Sequence, residues 1–350
     1  MSNAGSNELD VTRDQEAVNR DDDKFENTDE EDAPTTSGMH YTVFTRRERW
    51  LITVIMGVAM FFSPMTANIY FPAIPQLSAA MHVSLQDINL TITAYIVLQG
   101  ISPLFVGNMA DKIGRRPVYL LTFVVYVGAS LGLAMNRSSY PTLLLLRMLQ
   151  SAGSSATAAI SYGVLADVAP PAKRGSMLGA AMVAANTGPT IGPLLGGVIT
   201  DRIGWHWLFW FLTILGSCFL VVVGVFFPET SRKIVDNGRC AAPRWNRPIL
   251  SLFTTFPKNA VQHSERAVTS KPRLKARVPN PLPSLRIIMY RDASLVLWVS
   301  AIHYMVYYCL QATMPGLFTA VYGLNERQLG LTYCSSALES PWAAFRMGNS

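Results

Sequence analysis

Arg147 carries the most chemistry for its surroundings. It stands inside an apolar run, about residues 142–165, in the stretch Arg147-Met-Leu-Gln150-Ser-Ala-Gly-Ser154. A charge inside a membrane-length segment costs about 3 kcal/mol on insertion scales, so its presence points to function. Projected at about 100° per residue, Arg147, Gln150, Ser151, Ser154, Ala158 and Ser161 share one face, with Leu144, Leu145, Met148 and Leu149 largely elsewhere. A polar stripe on such a helix must face protein or water rather than lipid. Two readings of Arg147 stay open. It is a charge in or beside a central pathway, or it is an anchor satisfied by carbonyls or snorkelling to the interface. Asn68, near the end of an earlier apolar run, has a similar pair of readings: pore lining, or an interhelical hydrogen bond.

A second concentration of charge is Gly107-Asn-Met-Ala-Asp111-Lys-Ile-Gly114-Arg115-Arg116. It lies between apolar runs at about 88–106 and 117–135, each about long enough for a hydrocarbon core of ~30 Å. A short basic turn between two spans reads as cytoplasmic. Gly107 and Gly114 allow close packing or positive φ where the chain reverses. Asp111 is placed to accept hydrogen bonds from the neighbouring cations or from a helix N-terminus. Further on, Asp167 and Arg174 bracket another basic turn and are candidates to pair with these charges.

The elements that position these residues are membrane helices. Half of the residues are hydrophobic, only 15% are charged, and mean hydropathy is +0.23. Soluble domains carry about 25% charge. Spans are expected at about 51–70, 88–106, 117–135, 142–165, 176–199, 207–227 and 293–311, with residues 313–322 outside. Arg46, Arg47 and Arg49 ahead of Trp50 put the N-terminus in the cytoplasm. Residues 1–43 are acidic and poor in apolar groups, so they read as a disordered cytoplasmic tail. They hold no cleavable signal sequence, and the first span would serve as the signal. Residues 44–228 make a six-span bundle and 229–292 a basic cytoplasmic linker against the anionic inner leaflet. Residues 293–332 begin a second bundle, and 333–350 are an atypical tail. After Thr332 no uninterrupted apolar run approaches the ~20 residues a span needs.

In the fifth run, Gly188-Pro-Thr-Ile-Gly192-Pro193-Leu-Leu-Gly196-Gly197 sets glycines four apart on one helical face. Small residues at that spacing let two helices approach closely, and Pro193 favours a kink. The sixth run ends at Pro228-Glu229-Thr-Ser-Arg. The four cysteines show no metal-ligand spacing; Cys218 and Cys309 lie in apolar runs and are expected to be packing residues. No phosphate-binding Gly-Lys-Ser/Thr loop is present. The net charge of +6 is the difference between an acidic tail and basic loops, and no nucleic-acid partner is implied. No metal, no cofactor and no enzymatic activity are expected.

Taken together, these motifs resemble the major facilitator superfamily, and within it the fungal twelve-span drug:proton antiporters of the quinidine-resistance and dityrosine-transporter group. The Gly107–Arg116 stretch looks like the loop between spans 2 and 3, which latches the cytoplasmic side in the outward-facing state. By resemblance Asp111 is the latch acid, and Arg115 and Arg116 are its charge partners. Residues 67–75 are similar to the end of span 1 in the fungal antiporters. Arg147, Gln150 and Gly153 match the span 4 motif in which the arginine is associated with proton transfer, with Ser151 replacing a glycine. Gly188, Gly192, Pro193, Gly196 and Gly197 match the antiporter motif of exporters. Glu229 matches the acid after span 6 that joins the cytoplasmic charge network. The resemblance implies an all-α membrane protein: an N-terminal six-helix bundle plus span 7 and an incomplete second half. It also implies proton-coupled export of small organic compounds, drugs or polyamines, most naturally at the plasma membrane. Protons, membrane lipid and the small organic substrate are the implied partners. The missing span 8 reads as truncation, mis-splicing or a frame error. Self-association, or a non-transporting product that is defective or regulates an intact paralogue, is the alternative expectation.

Overall fold

The computed structural model describes residues 44–137, 139–231, 235, 290–325 and 327–333. The expected acidic tail, nearly all of the basic linker and the tail after Tyr333 lie outside the described residues.

Helix α1, Arg46–Asn68, starts on a capping box in which Thr45 and Glu48 satisfy each other's backbone amides. A 3-10 turn, Phe71–Ala73, and a short helix α2, Ile74–Met81, follow it; Pro72 and Pro75 are the cause of the break. Helix α3, Leu85–Ile113, begins on a second capping box, between Ser84 and Asp87. Helices α4 (Arg115–Met135), α5 (Tyr140–Val168), α6 (Arg174–Ile203) and α7 (Trp205–Phe226) complete a unit of six long helices and the short α2. Helix α8 is Arg291–Tyr322, and residues 327–333 are helical again. No strand occurs among the described residues, so the fold is all-α as the sequence implied.

Five helical segments are long and apolar enough to cross a membrane: Arg46–Met81, Leu85–Ile113, Arg115–Met135, Trp205–Phe226 and Arg291–Tyr322. Helices α5 and α6 are long enough but too rich in Ser, Gly, Ala and charge to qualify by hydropathy. The reason is packing. Small residues let α5 lie against α1, α3 and α4, so much of its surface never meets lipid, and let α6 lie along one face against α1. Gly153 of α5 shows the constraint: a Cβ there would meet the backbone nitrogen of Tyr126 at 2.7 Å and the carbonyl of Thr122 at 2.8 Å. Aromatic rings fill the space among α1, α4 and α7, with Phe62 edge-on to Phe123 at 5.4 Å and Phe219 5.0 Å from Phe123.

Three expectations are corrected. Residues 313–322 are not a segment apart from the helix of the seventh span. They continue α8 without interruption through Pro315 and Gly316, and Gly323, at φ +61°, ends the helix. The 107–116 stretch is not a loop either. It is helical to Ile113, and the reversal is made by Gly114 alone at φ +122°. Cys218 and Cys309 are exposed on the outer faces of their helices rather than packed inside.

Candidate functional site

The buried face of α5 is the one the helical projection gives. Arg147, Gln150, Ser151, Ser154 and Ser161 are buried, and Ala158 is half-buried, while Leu145 and Leu149 point outward. Arg147 lies two turns inside α5 and has no exposed surface, so it does not snorkel. Its guanidinium lies over two aromatic rings, 4.2 Å from the centre of Tyr70 and 4.4 Å from that of Tyr95. Tyr70 comes from the break after α1 and Tyr95 from α3, so three elements converge on one charge. Its Nη1 donates to Gln150 Oε1 at 2.8 Å. Nε and Nη2 make no hydrogen bond among the described residues, and no carboxylate pairs with Arg147 there.

Each neighbour is itself fixed. Gln150 Nε2 donates to Ser130 Oγ at 2.9 Å, and Ser130 donates to the Tyr126 carbonyl at 2.8 Å. The Tyr126 hydroxyl shares a 2.9 Å hydrogen bond with Thr66. Tyr95 and Ser154 share one at 3.0 Å, and Tyr70 and Thr91 share one at 3.1 Å. Ser151 donates to the Tyr95 carbonyl at 2.6 Å. Such a network preorganises a fixed positive charge in a low-dielectric place. Arginine keeps its proton in proteins, so Arg147 supplies field rather than a titrating group. Cation–π contacts contribute about 2 kcal/mol or more where desolvated, which offsets part of the cost of burial without a carboxylate.

Asn68 is buried, and its Nδ2 donates to the Pro64 carbonyl of its own helix at 2.7 Å. Its Cβ lies over Gly192 of α6, 3.2 Å from where a Cβ on that glycine would stand. It thus joins the α1–α6 contact rather than hydrogen-bonding into the Arg147 network. The glycines of α6 make that contact. A Cβ at Gly188 would meet Met65 N at 2.9 Å, one at Gly192 would meet Met65 O at 3.0 Å, and one at Gly196 would be driven into the Ile69 carbonyl oxygen. Pro193 and Gly197 face a different neighbour, Gly330 in the 327–333 turn, whose own Cβ would meet Pro193 O at 2.7 Å.

At the Gly114 end, Arg115 Nη1 pairs with Asp111 at 2.7 Å and its Nε with Asp167 at 3.3 Å. The guanidinium fits only because residue 163 is glycine; a Cβ there would meet it at 2.6 Å. Glu229 is buried and accepts the backbone N–H of Arg115 at 3.0 Å and of Arg116 at 3.2 Å. It also accepts those of Thr230 and Ser231 at 3.1 and 2.9 Å. A carboxylate on the first turn of α4 complements the positive helix end. Arg174 donates to the Ala166 carbonyl at 3.2 Å.

Two expectations at this end are corrected. Arg116 is not a side-chain partner of Asp111; its Nη2 donates to the Gly224 carbonyl at 2.8 Å, because the residue after the turn points to α7. Gly107 lies inside α3 with nothing within 4 Å of its Cβ position, so neither close packing nor positive φ explains it. The sequence reading missed Tyr70, Tyr95, Ser130 and Gly163. Only Tyr70 had a signal, as part of the 67–75 stretch; tyrosine, serine and glycine in apolar runs are otherwise unremarkable.

Comparison with known proteins places this architecture. The family model described as Major Facilitator Superfamily matches residues 56–346. The chain is 38% identical over 293 residues to the MFS-type transporter phiD of a fungal species, covering 84% of this chain and 44% of that protein. It is 37% identical over 296 residues to the MFS-type transporter tstD of Talaromyces stipitatus, covering 84% and 53%. It is 34% identical over 306 residues to Citrate exporter 1 of Aspergillus niger, covering 87% and 57%. The chain therefore spans about half the length of the curated relatives it matches. Among solved structures, the human organic anion transporter MFSD10 (TETRAN) aligns with a TM-score of 0.51 at 18% identity, covering 84% of this chain and 70% of that one. That likeness concerns the fold. With most of its length matched by the family model, this chain belongs to the Major Facilitator Superfamily and is a multi-pass membrane protein.

Proposed function

We propose that the chain forms one wall of a proton-coupled exporter of small organic compounds, an antiporter that works from the plasma membrane with its N-terminus in the cytoplasm. The substrates are drugs or polyamines, and a relative named as a citrate exporter adds small organic acids to the set worth assaying. The second wall comes from a partner bundle, which a further segment or a second copy would supply. In transporters built from repeats, substrate binds near the midplane between the two bundles and one bundle rocks against the other.

The observation that supports this most is Arg147. A buried guanidinium whose Nε and Nη2 make no hydrogen bond, with no acid beside it among the described residues, is costly to keep for packing alone. In a pathway it supplies a fixed positive potential that a passing proton or a charged substrate senses. Around it, α6 offers a tight glycine face to α1, a contact suited to rigid-body rocking. The Asp111–Arg115–Asp167 cluster would be this bundle's side of a latch that meets the second bundle at the cytoplasmic end. The partly exposed Asp111–Arg115 pair contributes at most ~1 kcal/mol, so such a latch is weak enough to open.

The test is uncoupler-sensitive efflux from yeast expressing the protein, with organic cations, neutral drugs and small carboxylates as cargo. Efflux of one class above the empty-vector control, lost when the proton gradient is collapsed, is the expected result. Efflux at control level for every class, from protein shown to reach the plasma membrane, would overturn the proposal.

A further inference from the structure

Away from both clusters, the first turns of α1 and α6 leave a cleft of about 270 Å³ between them. It is lined by the cations Arg46, Arg49 and Lys173 and by Trp50, Met177, Thr53 and Ser176, whose hydroxyl donates to the Lys173 carbonyl at 3.0 Å. The Thr53 hydroxyl is likewise committed to the Arg49 carbonyl at 2.9 Å, so the uncharged part of the lining is apolar in character. Among the described residues no acid lines the cleft. The nearby Glu48 is turned away into the Thr45 capping box. Two helix starts meet here, and the N-cap of α6, Lys173, offers no side-chain acceptor to the first-turn amides. Positive helix ends add to the three cations. Below the cleft the outer face of α1 is apolar and bare, with Trp50, Leu51 and Val54 all exposed. A set of cations beside an apolar lining that runs on into a hydrocarbon-facing stripe matches one kind of molecule: a phosphate joined to a glycerol backbone and acyl chains.

We infer that this cleft binds the headgroup of an anionic phospholipid. The phosphate and its charge meet Arg46, Arg49 and Lys173, and the glycerol region lies on Trp50 and Met177. The inference requires only that the chain sits in a membrane; it does not depend on transport. Free phosphate shares the chemistry the cations recognise but has nothing to lay on the apolar lining. Each cation near an anionic lipid is worth about fivefold in affinity.

The experiment reads Trp50 directly. The purified full chain in mixed micelles is titrated with brominated phosphatidylserine or brominated phosphatidylcholine. The Trp50 signal is taken as the difference from the Trp50→Phe protein. The expected result is quenching by the serine lipid at a several-fold lower mole fraction than by the choline lipid. That preference should fall about fivefold in Lys173→Gln and in Arg49→Gln, and should persist in Arg47→Gln, whose cation is in the same turn but outside the cleft. Single substitutions at these exposed or half-exposed positions leave the helices intact, which circular dichroism checks. Equal quenching by the two lipids would overturn the inference. So would an Arg47→Gln loss equal to the cleft variants, which would mean general attraction to charge, or displacement of the lipid by millimolar inorganic phosphate, which would mean a free-anion site.

Discussion

The guanidinium carbon of Arg147 stands 4.2 Å from the ring centre of Tyr70 and 4.4 Å from that of Tyr95. The rings do the work that a carboxylate does in most buried arginine sites, and they do so without cancelling the charge. Tyr95→Phe keeps the ring and removes only the hydroxyl shared with Ser154. It should leave efflux within a few-fold of the wild type. Tyr95→Leu removes one aromatic face worth about 2 kcal/mol and should lower efflux by ~tenfold or more. Equal activity of the two variants, at matched amounts in the membrane, would show that the ring does not hold the charge.

The contact of α6 with α1 predicts opposite signs for two alanines on one helix. At Gly196 a Cβ would be driven into the backbone of Ile69, whereas at Gly179 it meets nothing within 4 Å. Overpacking costs about 1–3 kcal/mol, while alanine in open helix gains up to ~1 kcal/mol over glycine. Thermal unfolding in detergent should therefore drop for Gly196→Ala and stay level or rise for Gly179→Ala. A Gly196→Ala protein as stable as the wild type would mean that the helices are not in close contact.

Gly163 gives Arg115 its space. Gly163→Ala should move the guanidinium off both Asp111 and Asp167 while leaving the helices folded, since the atoms in the way are the far end of a flexible side chain. Amide hydrogen exchange around Gly114 should then quicken several-fold. Asp111→Asn alone should have a smaller effect, because Asp111 is 46% exposed and its pair is screened. Unchanged exchange in Gly163→Ala would contradict the shared role of Arg115.

Glu229 accepts four backbone N–H groups, two of them at the start of α4. Loss of a capping side chain costs about 1 kcal/mol and up to 2. Glu229→Ala should accelerate exchange of the Arg115 and Arg116 amides by roughly five- to thirtyfold, with amides at the far end of α4 unaffected. Equal protection in the variant would mean that other groups cap this helix.

The sequence was most readable where one element sets the answer. The buried stripe on α5 followed from periodicity alone, as did the close-packing face of α6 from the spacing of Gly188, Gly192 and Gly196. The arrangement at the Gly114 end was readable in its members but not its pairings. Asp111, Arg115, Asp167 and Glu229 are all there, yet Arg116 turns away to Gly224 because a single residue past the reversal changes its direction. The aromatic pair was hidden for a different reason. Tyr70 and Tyr95 lie far from Arg147 in sequence and meet it only when α1, α3 and α5 pack, and nothing in a run of apolar residues marks one tyrosine as a partner. The full length of α8 was not legible, because Pro315 and Gly316 together look like the end of a helix.

The most direct test of the account is uncoupler-sensitive efflux by the Arg147→Met protein. An apolar side chain of similar length removes the buried charge, and replacing a buried charge in this way often leaves stability intact. The account predicts wild-type abundance in the membrane and wild-type thermal stability, with proton-driven efflux lost. Efflux at the wild-type rate would contradict it and would make Arg147 a structural residue.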